Sequence, residues 1–135
     1  MMGKTSTVFF NSRKTLEETA QEISEILKVP LKRHHEEESG ITRYEGLGMF
    51  VHIVLYDKHD MENDRDMNFE NYTYLLDFSD QYREAKGSDL LRQSAAMVTY
   101  QIIINVLKYQ AMLVEDMQRL VEQSYRQAAS SGPIQ

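Results

Sequence analysis

The chain has 135 residues, with 15 Lys and Arg, 21 Asp and Glu, four His, no Cys and no Trp, for a net charge of −6. That length suits one domain able to bury roughly two-thirds of its unfolded surface. Without Cys, disulfides, thiolate metal sites and Cys nucleophiles are excluded, and the acidic balance argues against a general nucleic-acid binder.

Thr5 to Phe10, rich in β-branched and aromatic residues, reads as a first strand. Thr15 with Glu18 three residues on forms a capping box that opens a helix. Leu16, Ala20, Ile23 and Leu27 make its apolar stripe, and Pro30 stops it near Val29. Leu31 to His35 and Ile41 to Glu45 follow as strands. Met49 to Tyr56 is apolar on both faces, with Met49, Val51, Ile53 and Leu55 on one side, and belongs inside a sheet. Gly46 and Gly48 before it mark a bulge or a tight connection. Asn71 to Phe78 alternates again, placing Tyr72, Tyr74, Leu76 and Phe78 together.

From Leu90 to about Tyr125 there is no Pro or Gly. Leu91, Ala95, Val98, Ile102, Val106, Tyr109, Leu113, Met117 and Leu120 keep helical intervals. One helix of that length would run ~50 Å, so it must bend, break near Lys108 or project. Gln101 and Asn105 argue against a membrane span. The expectation is therefore an α+β domain over residues 1–125. An antiparallel sheet of four to five strands carries an N-terminal helix and a long C-terminal helix on the face of Met49, Val51, Ile53 and Leu55. Residues 126–135 are expected to form a flexible tail. Met1 to Phe10 lacks the build of a signal peptide, which makes the cytoplasm the expected location.

Chemistry-bearing motifs are few. His34 and His35 precede Glu36, Glu37 and Glu38, but neighbouring strand side chains face opposite ways, so a polar edge strand is favoured over a metal site. His52, within the best strand, is expected to be hydrogen-bonded or half-exposed rather than a switch, and nothing in the charged loop fixes His59 on a ligand. Asp57, Asp60, Glu62, Asp64, Asp66 and Glu70 crowd one charged loop. Counted from Asp60, the sixth and twelfth positions are Arg65 and Asn71, which excludes an EF-hand and leaves only a loose divalent site open. No nucleophile elbow, Walker loop, dinucleotide fingerprint or zincin helix occurs. A non-enzyme without cofactor or metal is expected. Eight Tyr and five Phe suit a contact surface, with the alternative that Tyr72 and Tyr74 are core.

This small, acidic, Cys-free α+β build resembles, over about residues 5–125, the bacterial immunity proteins of polymorphic and contact-dependent toxin systems. The resemblance implies a cytosolic protein that covers a basic toxin domain, often a nuclease, with carboxylates standing where phosphates would bind. The expected contact residues are Asp57, Asp60, Glu62, Asp64, Asp66, Tyr72 and Tyr82. The competing expectation is a structural or adaptor protein that dimerises through the helix of residues 90–125, with Met97, Ile103, Ile104, Met112 and Val114 as surplus apolar surface.

Overall fold

The computed structural model describes residues 5–57, 72–80, 87–115 and 119–123. Nine elements follow in chain order among them: β1 (Thr5–Phe10), α1 (Leu16–Leu27), β2 (Lys32–His35), β3 (Thr42–Gly48), β4 (Val51–Tyr56), β5 (Tyr74–Asp80), α2 (Ser88–Asn105), β6 (Ala111–Glu115) and β7 (Arg119–Gln123). The strands form one sheet in the order β2-β3-β4-β5-β1-β6-β7. Each neighbouring pair is antiparallel. The α+β class is as expected, but the sheet has seven strands where four to five were expected.

β1 and β4 are interior strands with a hydrogen-bonded neighbour on each side; β1 is buried on both faces, and β4 is buried on its helix-facing side with Val54 buried opposite. One face of the sheet packs on both helices: Val8, Val51, Ile53, Leu55, Leu76 and Phe78 meet Ala20, Ile23, Ala96, Tyr100 and Ile103 in one core. Each such large apolar side chain contributes about 1.5–3 kcal/mol when fully buried. The helices thus lie on the side of Val51, Ile53 and Leu55, as the strand's alternation predicts.

The predicted caps hold α1 at both ends. Thr15 Oγ1 accepts from the Glu18 N–H at 3.1 Å, and Glu18 Oε1 accepts from the Thr15 N–H at 3.0 Å. At the other end Lys28 adopts a left-handed φ of 60° and closes the helix one residue before Val29, with Pro30 beyond. The next segment lies directly against β3. A Cβ on Gly46 would stand 2.1 Å from the Pro30 carbonyl oxygen, and one on Gly48 2.5 Å from Val29 Cγ2. The two glycines therefore admit a close backbone approach rather than a bulge.

Gly48 pairs with Val51, so Met49 and Phe50 are the two-residue loop of the β3–β4 hairpin, not the start of the strand. Their φ values of 54° and 66° are those of a mirror-image turn normally made by Asn-Gly. β5 likewise starts later than expected, at Tyr74. Tyr72 stands outside it and packs with Phe9, Leu75, Met112 and Val114, away from the cluster of Tyr74, Leu76 and Phe78.

The long C-terminal helix does not exist. α2 ends at Asn105; the Ile102 carbonyl accepts from both Val106 (2.8 Å) and Leu107 (3.2 Å), and Lys108 turns left-handed at φ 62°. Of bending, breaking or projecting, the helix breaks, between Asn105 and Lys108. The reason is the run Ala111–Val114, apolar on both faces, which buries more as β6 against β1 than it would on a projecting helix. Met112 and Val114 are therefore sheet core, not surplus helix surface. Among the described residues no helix is long and apolar enough to cross a membrane.

Candidate partner-binding surface

α1 places Glu17, Glu18, Glu22 and Glu25 within three turns. Its inward stripe consumes the apolar residues, so these acids are left for the outer side. Glu18, Gln21, Glu22 and Glu25 line a shallow groove of about 350 Å³ together with Lys14. Lys14 Nζ donates to Glu22 Oε2 at 2.6 Å and the Tyr109 hydroxyl to Glu22 Oε1 at 2.7 Å. The Glu22 carboxylate accordingly holds the Lys14 ammonium above its usual range. Burial, then Glu22, pushes the Tyr109 hydroxyl up as well.

Around the N-terminus of the same helix a second cleft of about 350 Å³ opens against the β2–β3 edge. Thr15, Leu16, Glu17, Arg33, Gly40, Thr42, Tyr44 and Asp57 line it. Asp57, one residue beyond β4, reaches this wall because odd-numbered residues of β4 face the helices. The cleft joins two carboxylates to an aromatic ring and one guanidinium, a polar recess suited to a charged side chain.

On the opposite sheet face Glu45 gathers two histidines and an arginine. His52 Nε2 lies 3.0 Å from Glu45 Oε1, while His34 Nε2 and Arg43 Nε lie 3.3 Å and 3.1 Å from Glu45 Oε2. Burial works against the Glu45 charge, but His52, Arg43 and His34 together outweigh it and hold the carboxyl below the ordinary Glu value. His35 turns the other way, its Nδ1 2.6 Å from Thr42 Oγ1. The two adjacent histidines thus serve different partners on an exposed edge strand. Among the described residues no group of three His, Asp or Glu is placed to hold a metal ion.

Two interior polar clusters tie the frame. Arg92 of α2, fully buried, donates to Ser6 Oγ at 3.0 Å, to Asp89 Oδ1 at 2.8 Å, to both Asp80 oxygens at 3.3 Å and to Glu115. Desolvation opposes its charge, yet Asp89, Glu115 and Asp80 prevail and raise its affinity for the proton. On the far face Thr7 Oγ1 donates to Asp77 Oδ1 at 2.6 Å. Burial pushes Asp77 up, and the Thr7 hydrogen bond offsets only part of that. Both clusters are fully partnered inside the fold and read as structural.

Of the residues expected to meet a partner, Asp57 lines the cleft at the α1 N-terminus. Tyr72 is only 3% exposed and its ring sits 6.3 Å from that of Phe9, so it is core and leaves the contact surface. Asp60, Glu62, Asp64, Asp66 and Tyr82 lie outside the described residues, as does His59. Two features escape a reading of the sequence. Glu17 reaches the cleft only because α1 docks beside β3. Phe50, 65% exposed at the hairpin tip, looks in sequence like one more strand residue; no Asn-Gly signal marks the turn. Compared with protein-family models, curated proteins and solved structures, the chain matches none.

Proposed function

We propose that the protein is a non-enzymatic binding protein of the immunity type, which neutralises a basic toxin domain by covering it with an acidic surface. The observation that carries this reading is the acidic outer side of α1 running into the cleft of Glu17 and Asp57. Four Glu in twelve residues, with no basic residue in the last turn, set a negative field on one wall of a chain whose net charge is already −6. Such a field speeds encounter with a cationic surface and selects against acidic ones. Carboxylates at the mouth of a basic active site occupy the positions of substrate phosphates. Asp60, Glu62, Asp64, Asp66 and Tyr82, outside the described residues, remain expected contacts in this reading, and Phe50 supplies an exposed aromatic anchor of the kind that dominates interface energies.

The test is capture of the tagged chain from its native lysate, washed at rising salt, with the captured domain assayed for toxic activity. A single basic chain that is silenced stoichiometrically and released by salt supports the reading. The triple variant Glu17→Lys, Glu25→Lys, Asp57→Lys should lose that capture by a factor on the order of a hundred. Undiminished capture by the triple variant would refute the acidic-surface mechanism.

A further inference from the structure

The outer face of α2 carries no charge. Between Leu90 and Leu107 the one charged residue is Arg92, and it is wholly buried on the inner side. Asp89, in the first turn, is drawn onto it at 2.8 Å. The inner side is spoken for by Arg92, Ala95, Ala96, Thr99, Tyr100 and Ile103. What remains outside is apolar and neutral: Leu90 (67% exposed), Leu91, Val98 (50%) and Val106 (60%), interleaved with Ser94, Gln101 and Asn105. Of the apolar stripe expected of a long amphipathic helix, Leu91, Val98 and Val106 face outward. Leu91, Val98 and Asn105 recur every seven residues, two helical turns, and so form one line along the ~27 Å helix.

We propose that this face joins two copies of the chain, their α2 helices antiparallel about a twofold axis near Val98. Charge selects the occupant. Two chains of net charge −6 repel each other across acidic surfaces such as the outer side of α1. Across α2 they meet without placing any like charges in opposition. A twofold contact pairs Val98 with its own copy and sets the opposed helix dipoles head to tail. Ser94, small and near the centre of the line, lets the helices approach. Asn105 already donates to Gln101 at 2.9 Å, so the neutral rim enters the contact with its amides hydrogen-bonded. A cationic partner gains no charge pairing here, which leaves the acidic surface to it. The proposal rests on α2 alone and stands whether or not the inhibitor reading does.

Sedimentation equilibrium of the full chain across concentration and salt tests it. A dimer that tightens as salt screens the repulsion between the two chains is expected, opposite in sign to the salt release of a basic partner. Val98→Lys should weaken dimerisation on the order of a hundredfold by opposing two ammonium groups at the axis. Its circular dichroism should be unchanged, since the site is half-exposed. Because the chain has no Cys, Val98→Cys should cross-link on mild oxidation while Glu25→Cys, on α1, should not. A monomer at every concentration and salt, or a dimer that Val98→Lys leaves intact, would overturn the proposal; failure of Val98→Cys to cross-link a dimer would overturn the axis.

Discussion

Arg92 Nε and Ser6 Oγ, 86 residues apart in sequence, are 3.0 Å apart in the fold, and this bond anchors α2 to β1. Ser6 in turn donates to Glu115 Oε1 at 2.6 Å, so one guanidinium links α2, β1, β5 and β6. Replacing Arg92 with Met keeps much of the volume but leaves Asp80 and Glu115 mostly buried and without their cation. We expect a loss of about 3–5 kcal/mol in urea denaturation at neutral pH. The double variant Arg92→Met, Glu115→Gln should recover part of it, because one stranded charge is removed.

Gly46 and Gly48 test the approach of the α1–β2 connection to β3. Gly46→Ala drives a methyl into the Pro30 carbonyl, a backbone atom that cannot rotate away. A cost of about 3 kcal/mol or failure to fold is expected. Gly48→Ala meets the methyls of Val29, which can yield by a rotamer change, and should cost about 1 kcal/mol. Equal thermal shifts for the two would contradict this reading.

The hairpin turn trades stability for an exposed aromatic. At φ 66°, Phe50 carries a penalty that glycine avoids, and it buries little in return. Phe50→Gly should therefore leave stability unchanged or raise it by about 0.5 kcal/mol, read as a shift in urea midpoint. The same variant should weaken partner capture if Phe50 is the anchor.

Two carboxylates give the stability–pH curve opposite slopes. Glu45 titrates below its ordinary 4.5 in the fold, so it stabilises above that value, and its contribution is lost as pH falls through the lower folded value. Glu45→Gln should be less stable than the parent at neutral pH and converge with it in strong acid. Asp77 titrates above its ordinary 3.8, so the folded state binds its proton more tightly and stability declines as pH rises from 3.8 through the raised value. Asp77→Asn keeps an acceptor for Thr7 and should be more stable than the parent at neutral pH. Urea midpoints of the three proteins across acid to neutral pH check both signs.

Much of the frame was legible because its causes are local. The capping box of Thr15 and Glu18, the stripe of Ala20 and Ile23, and the alternation of Val51, Ile53 and Leu55 each follow from backbone periodicity and nearest-neighbour hydrogen bonds. The strand at β1 and the polar edge at His34 and His35 were readable on the same grounds. Beyond Asn105 nothing local could decide, since Ala111–Val114 suits a buried helix or a buried strand equally, and Lys108 gives no sign of its left-handed turn. Only the open edge of β1, supplied by residues a hundred positions earlier, made the strand the better burial. The same holds for the surfaces. Charge and composition alone established an acidic, Cys-free chain. Packing decided that Tyr72 is core, that Glu17 and Asp57 share a cleft and that Leu90, Leu91 and Val98 of α2 face outward, because burial is a property of which elements meet.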